Sequence, residues 1–116
     1  EEPSLALHCQ RVLAIPAKRA QRPLVQFLVG DEIAALVASP DTTTWIGRRD
    51  RALLLLAART GLRNAELTGL RRRDVVLGTG AHVRCHGKGR KTRCTPLHTE
   101  VVPVLCAWIK ECDPDP

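Results

Sequence analysis

The sequence predicts an α+β fold that is mostly helical and carries a small three-stranded antiparallel sheet. Apolar residues recur at helical spacing up to about residue 70, alternate with a period of two between residues 75 and 96, and return to helical spacing after residue 99. The length of 116 residues suits one modest domain, and the apolar fraction of 44% is ordinary for a globular protein. Because the chain has one Phe, two Trp and no Tyr, its core must be built mainly from aliphatic side chains.

The first 29 residues differ from the rest in pattern. A helix is predicted over residues 4–15, with Leu5 and Cys9 on its apolar stripe, and Pro16 ends it. Nothing nearby in the sequence offers this stripe a packing partner. Residues 17–29 include Lys18, Arg19, Arg22 and Pro23, which predicts an extended basic linker. We therefore interpret residues 1–29 as the tail of a preceding domain plus a connector, with a second domain over residues 30–116.

Three further helices are predicted before residue 75. The first begins with Asp31 as its N-cap and ends at the break over residues 39–41. The second covers residues 45–59, and because residues 52–58 are apolar on all sides it should be the central buried helix. Gly61 should end that helix in a tight corner. The third helix is short and should cover residues 64–70, with inward-facing side chains at Leu67 and Leu70.

The segment from residue 75 to residue 96 predicts the sheet. Short strands are expected over residues 75–77 and 81–86, joined by a glycine-containing turn, and a third strand over residues 92–96. Within the second strand Val83 and Cys85 should face the core. The side chains that alternate with them, His82, Arg84 and His86, should form a basic outer face.

The last predicted helix follows the sheet. Thr99 is the expected cap, and Pro103 should lie within the first turn, where a missing N–H group costs least. Its apolar face should carry Val101, Leu105, Trp108 and Ile109. A domain of this size would leave the faces of the central and last helices short of packing partners.

Positive charge is concentrated in the middle of the chain. The formal net charge is +6, but residues 48–93 contain thirteen Lys and Arg against three acidic residues, which gives +10. The remainder of the chain sums to −4. A basic middle between acidic ends indicates a localised anionic partner, with nucleic acid as the leading candidate and a solvated basic surface as the alternative.

The cysteines predict neither a disulfide framework nor a metal centre. The five residues are Cys9, Cys85, Cys94, Cys106 and Cys112, and they contain no Cys-x-x-Cys motif. With no secretory signal and no long apolar run, reduced thiols in the cytoplasm are expected. A Cys85–Cys94 disulfide across the strands is geometrically conceivable but disfavoured in that compartment. Zinc on the hairpin is also disfavoured, because His82 and Cys85 should point to opposite faces of one strand.

Arg63 and Glu66 form the first candidate site. A charged residue just after an apolar helix is costly unless it is paired, and Glu66 lies three residues further on. One hypothesis is a structural ion pair that fixes the corner. The other is that the planar Arg63 guanidinium binds two phosphate oxygens and neutralises charge on a phosphoryl group, with Glu66 orienting it.

The turn over residues 87–91 is the second candidate site. It contains two glycines and three cations, which by itself fits a solvated hairpin tip. The functional hypothesis is that the glycines let the backbone approach a phosphate while Lys88 reaches into the site.

Together the two segments resemble one protein family. The segment Gly61-Leu62-Arg63, then Glu66-Leu67, Leu70 and Asp74-Val75, followed by Gly87-Lys88-Gly89, is similar to the tyrosine recombinase (phage integrase) family. The resemblance covers residues 31–110, roughly seventy per cent of the chain, and corresponds to the amino-terminal half of the catalytic domain. Residues 1–29 would then be the tail of the preceding core-binding domain, which contacts DNA, and its basic linker.

The resemblance implies a role in DNA integration and site-specific recombination. Such enzymes cleave and rejoin DNA strands through a 3′-phosphotyrosyl intermediate, without a metal or nucleotide cofactor. Arg63 would hold the scissile phosphate, Glu66 would orient Arg63, and Lys88 would be the general acid, with Lys91 as a weaker substitute. Phosphate contacts that position the DNA would come from Arg90, Lys91 and Arg93 on the hairpin and from a helix end at Arg71, Arg72 and Arg73.

The sequence departs from the family pattern after Lys88. No downstream His-x-x-Arg element follows, and no tyrosine is present to act as the nucleophile. His8 and Arg11 have that spacing but precede Arg63, so we interpret them as coincidental. The chain is therefore expected to be a truncated or fragment form that is inactive alone, with DNA and other recombinase protomers as partners. The alternatives are a non-enzymatic DNA-binding module and an interaction partner of a full-length recombinase.

Overall fold

The structure, a computed structural model, describes residues 3–87, 89 and 91–112. Its elements in chain order are α1 (Pro3–Leu13), α2 (Gly30–Ala38), α3 (Trp45–Thr60), α4 (Asn64–Thr68), a 3₁₀ turn (Arg72–Asp74), β1 (Val75–Val76), β2 (His82–His86), β3 (Thr92–Pro96) and α5 (Val101–Cys112). The predicted α+β class is confirmed, as is the three-stranded antiparallel sheet, whose order is β1-β2-β3. None of the helices in the described ranges is long and apolar enough to cross a membrane.

The first helix and the linker carry no part of the core. Residues 4–30 are exposed throughout, including apolar side chains such as Leu5, Val12 and Phe27. The predicted helix is present but ends at Leu13, before Pro16. Its apolar stripe is exposed, as expected for a segment without a local packing partner.

The predicted cap of α2 is wrong by two residues. Val29 occupies the N-cap, and its backbone N–H donates to the Glu32 carboxylate at 2.9 Å. Asp31 lies within the first turn instead, where a negative charge still suits the positive end of the helix dipole. The end of α2 at Ala38 agrees with the predicted break.

Two features fix the ends of α3. The Thr44 hydroxyl accepts the Gly47 N–H at 3.0 Å and caps the first turn. Gly47 lies so close to the preceding loop that a Cβ atom there would fall 1.7 Å from the Asp41 carbonyl oxygen. At the other end Gly61 adopts φ 63° and ψ 25°, the left-handed conformation that the predicted corner requires.

The core lies between α3, α5 and the sheet, and it is aliphatic as predicted. Its buried residues are Ala52, Leu55, Leu56, Leu62, Val83, Cys85, Val101 and Leu105. Leu67 and Leu70 pack against this cluster, which confirms their inward orientation. The prediction that α3 is buried on all sides is wrong, since Leu53 is 40% exposed and Ala58 is exposed.

An apolar cleft of about 270 Å³ opens beside the exposed side of α3. Leu53 and Leu56 of α3 and Trp108 and Ile109 of α5 are among its lining residues. Parts of the apolar faces of both helices therefore line this cleft.

An ion pair joins the start of α3 to the end of α5. Arg48 donates from Nε and Nη2 to the Glu111 carboxylate at 2.9 and 2.6 Å, and its Nη1 donates to the carbonyls of Thr42 and Thr43. The Arg48 hydrogen bonds hold the pKa of Glu111 below its usual value. The start of α5 differs from the prediction, because the helix begins at Val101 and the side-chain acceptor near its start is His98 Nδ1, not Thr99.

The strand register rules out the cross-strand disulfide. Cys94 lies opposite Arg84, and Cys85 lies opposite Arg93. Because neighbours along a strand point to opposite faces, Cys85 enters the core while Cys94 is exposed on the other side. Both cysteines are free thiols.

Candidate nucleic-acid interface

The Arg63 corner, residues 61–63, presents a charged side chain on a fixed backbone. The left-handed Gly61 turns the chain, and Leu62 anchors the corner by lying in the core, with 9% of its surface exposed. Arg63 is extended, with φ −64° and ψ 151°, and occupies the N-cap position of α4. Its side chain is 79% exposed. The guanidinium therefore remains accessible to a ligand.

Glu66 holds the corner mainly through the backbone. Its side chain is only 6% exposed, and Oε2 accepts the Arg63 backbone N–H at 2.8 Å. That hydrogen bond is the largest cause of the lowered pKa of Glu66, and Arg93 and the charge of Arg63 lower it further, against the effect of burial. The contact between Arg63 Nη1 and Glu66 Oε1 is longer, at 3.6 Å.

The short ionic partner of Glu66 comes from the sheet. Arg93, on β3, donates from Nη2 to Glu66 Oε2 at 2.7 Å. The sequence analysis predicts that Glu66 pairs with Arg63 and that Arg93 contacts phosphate. The structure instead joins both arginines to one carboxylate, with the closer side-chain contact to Arg93.

A second buried carboxylate repeats this arrangement. Asp74 Oδ2 accepts the Arg71 backbone N–H at 2.9 Å, and Oδ1 lies 3.5 Å from His86 Nε2 on β2. The Arg71 hydrogen bond is the largest cause of the lowered pKa of Asp74. The other ring nitrogen of His86 lies 3.2 Å from the Thr92 hydroxyl. Each of the two acids thus caps a short helical turn and also contacts a basic side chain of the β2–β3 hairpin, which comprises β2, β3 and the intervening turn.

The second acid was not identified as a site residue from the sequence. Its spacing was nevertheless visible, because Arg71-x-x-Asp74 repeats the interval of Arg63-x-x-Glu66. An acid three residues after an extended residue is a recognisable N-terminal capping pattern. The contact with His86 had no sequence signal, because it depends on how the hairpin packs on the 3₁₀ turn.

The remaining predicted phosphate contacts are placed in two regions. Arg71, Arg72 and Arg73 are exposed, but they are not a helix end as predicted: α4 stops at Thr68 and these residues enter the separate 3₁₀ turn. Lys91 is exposed at the base of the hairpin turn. Lys88 and Arg90 lie outside the described residues.

The described histidines and cysteines of the hairpin lie in surroundings that do not suit a metal centre. Cys85 is buried, and burial is the largest cause of its raised pKa, so it is a core thiol. His82 Nδ1 lies 2.8 Å from the Gly80 carbonyl. Among residues 3–87, 89 and 91–112, no three His, Cys, Asp or Glu side chains are grouped so that they could hold a metal ion.

The lowered pKa values of Glu66 and Asp74 predict acid sensitivity. A carboxyl whose pKa is depressed by folding contributes stability above its unfolded pKa, and the contribution is lost as the pH falls through the folded value. The melting temperature should therefore be level near neutral pH and fall as the pH drops below about 4. Glu66→Gln should melt lower at pH 7 and show a shallower acid dependence. An acid dependence identical in wild type and Glu66→Gln would contradict the contribution of Glu66.

Comparison with known proteins identifies the family to which this chain and its fold belong. Residues 26–116 match the profile of the phage integrase family. The chain belongs to that family. It is 56% identical over 111 residues to y4rC of Sinorhizobium fredii, which is named as an integrase/recombinase, and 40% identical over 106 residues to the tyrosine recombinase XerC of Rhodospirillum centenum. These matches cover 96% and 89% of the chain but 33% and 31% of the relatives, so the chain spans about a third of their length.

Solved recombinase structures share the fold. The crystal structure of XerA recombinase superposes with a TM-score of 0.66 at 23% identity, over 94% of this chain and 39% of that one. The XerH site-specific recombinase, solved with its difH substrate before cleavage, gives a TM-score of 0.63 at 24% identity, over 78% of this chain and 27% of that one.

Proposed function

We propose that this chain is the phosphate-binding, amino-terminal part of a tyrosine recombinase catalytic domain and acts in DNA integration or site-specific recombination. The observation that carries this proposal is the geometry of Arg63. Its backbone N–H is held by the buried Glu66 carboxylate at 2.8 Å, while its side chain is 79% exposed. A fixed backbone with an exposed guanidinium suits a residue that must meet a ligand in one orientation.

Phosphate is the ligand that best matches this group. A guanidinium offers a planar fork of donors that fits two phosphate oxygens, and it stays charged at neutral pH. In strand transfer Arg63 would bind the scissile phosphate and stabilise the negative charge that builds on it. Lys88 would protonate the leaving 5′ oxygen, with Lys91 as the weaker substitute.

The surrounding cations would position the DNA without selecting its sequence. Arg71, Arg72 and Arg73 are exposed beside the Asp74 corner, and Lys91 is exposed on the β2–β3 hairpin. We propose that these residues and Arg90 contact backbone phosphates. The exposed α1 and linker support residues 1–29 as a separate segment, the tail of a preceding core-binding domain.

Strand cleavage would need groups from outside this chain. The 116 residues include no tyrosine, so the chain is not expected to form the phosphotyrosyl intermediate by itself. We propose that other recombinase protomers are partners, and the apolar cleft between α3 and α5 supports such contacts. The relatives are named as recombinases, and the XerH structure contains its DNA substrate.

A binding and cleavage assay tests the proposal. Duplex DNA should bind weakly, with little sequence preference, and log K should fall with log salt at a slope of about −0.9 per phosphate neutralised, for roughly three to five phosphates. Nicked suicide substrates should yield no covalent adduct. Affinity that does not change between low and physiological salt would contradict the phosphate contacts, and a protease-sensitive covalent adduct would contradict the predicted inactivity.

A further inference from the structure

We propose that Arg93 is a positioning residue that neutralises Glu66 and thereby keeps Arg63 free for phosphate, and is not itself a phosphate contact. The inference rests on the proposed function of Arg63. It departs from the sequence hypothesis, in which Arg93 belonged to the phosphate-contacting set.

The argument begins with the sharing of one carboxylate. Glu66 Oε2 accepts two hydrogen bonds, from the Arg63 backbone N–H at 2.8 Å and from Arg93 Nη2 at 2.7 Å. The Arg63 guanidinium comes no closer than 3.6 Å, to the other oxygen. A charge-assisted hydrogen bond is short and strong, so Arg93 is the cation that compensates Glu66.

Compensation by Arg93 leaves the positive charge of Arg63 available. The Glu66 side chain is 6% exposed, and a carboxylate with so little access to water requires a partner. If Arg93 were absent, the cation still in contact with Glu66 within the described part of the chain would be the Arg63 guanidinium, at 3.6 Å. The Arg63 guanidinium would then pair with Glu66, and its charge would no longer be available to an incoming phosphate.

The same bond ties the β2–β3 hairpin to the Arg63 corner. Arg93 lies on β3, and the pairing of His86 with Thr92 closes the hairpin turn that carries Lys88 in sequence. The contact between His86 and Asp74 joins β2 to the 3₁₀ turn in a similar way. The hairpin is therefore attached to the helical layer at both strands, and Arg93 provides the attachment nearest to Arg63.

Amide hydrogen exchange without DNA tests the positioning directly. In Arg93→Ala the Arg63 backbone N–H should exchange about tenfold faster, because Glu66 Oε2 loses the Arg93 bond that helps to hold it at this N–H and the carboxylate turns toward the Arg63 guanidinium. Arg84→Ala is the matched control, since Arg84 is an exposed arginine on the neighbouring strand, and the Arg63 amide should exchange as in wild type. Arg93→Lys, which keeps the charge, should recover part of the protection and also serves if Arg93→Ala does not fold. The inference would be overturned if the Arg63 amide in Arg93→Ala exchanged at the wild-type rate. If Arg93→Ala does not fold, wild-type exchange of the Arg63 amide in both Arg93→Lys and Glu66→Gln would overturn it.

A double-mutant comparison of duplex DNA affinity separates the two roles of Arg93. If Arg93 acts through Arg63, then Arg63→Ala combined with Arg93→Ala should bind no more weakly than Arg63→Ala alone. If Arg93 contacts phosphate itself, the losses should add and the salt slope should become shallower by a further 0.9 or so, which overturns the inference. If Arg63→Ala has no effect on DNA affinity, the proposed function is rejected. The exchange measurement, which uses no DNA, would still test whether Arg93 positions Glu66 and the Arg63 backbone.

Discussion

Gly47→Ala should destabilise the protein by about 3 kcal/mol, one of the two largest effects expected of a single substitution here. A Cβ atom at this position would fall 1.7 Å from the Asp41 carbonyl oxygen and 2.4 Å from its carbonyl carbon. Both are backbone atoms, so no side-chain rotation can relieve the clash. The first turn of α3 would have to move away from the loop, and the Thr44 cap would be lost with it. Urea or thermal unfolding, followed by circular dichroism, measures the change.

Gly30→Ala provides the matched control for this prediction. Gly30 is the first residue of α2, and a Cβ atom there would meet nothing within 4 Å. Alanine also restricts the unfolded chain, so this variant should be neutral or more stable by about 0.5 kcal/mol. Equal stability of Gly47→Ala and wild type would show that the loop before α3 does not approach the helix as described.

Arg63→Ala should weaken duplex DNA binding by about tenfold or more while leaving the fold intact, the second large effect expected. A hydrogen-bonded contact to a charged group accounts for a loss of that size. The fold should survive because the side chain is 79% exposed, and surface substitutions usually change stability by no more than about 0.5 kcal/mol. Glu66 also retains its shorter contact with Arg93. Fluorescence anisotropy at low salt, with thermal unfolding in parallel, measures both quantities.

Arg51→Ala controls for the simple loss of one positive charge. Arg51 is an exposed arginine of α3 and lines pockets formed with α2 and α5, away from the Arg63 corner. Its removal should reduce affinity much less than the removal of Arg63. If Arg63→Ala instead unfolds the protein, Arg63 is a structural residue. If both variants lose affinity equally, Arg63 is one positive charge among many.

The arrangement of helices and strands could be predicted because it follows from local patterns. The period of apolar residues located the sheet and the five α-helices found in the described part of the chain, and Gly61 marked the corner through its need for a left-handed backbone. One error, at the start of α2, concerns a choice between neighbouring groups that geometry decides. Asp31 and Glu32 are both acids near the start of α2, and only the structure shows that Glu32 reaches back to the Val29 N–H.

The candidate site was predictable where its parts are close in sequence. Arg63 and Glu66 are three residues apart, so their proximity follows from helix geometry. The contact between Arg93 and Glu66 spans 27 residues and requires the strand register and the packing of the sheet on α4. The same holds for His86 and Asp74, whose meeting depends on β2 lying over the 3₁₀ turn. Sequence reasoning therefore found the arginine that we propose binds phosphate but not the network that holds it.

The salt dependence of DNA affinity in Arg63→Ala tests the central claim most directly, because it counts the phosphates that the protein neutralises. Log K is measured against log salt for wild type, Arg63→Ala and Arg51→Ala on one duplex. If Arg63 binds a backbone phosphate, its removal should make the slope less negative by about 0.9, while Arg51→Ala keeps the wild-type slope. A slope and an affinity unchanged by the loss of Arg63 would contradict the claim that this corner binds phosphate.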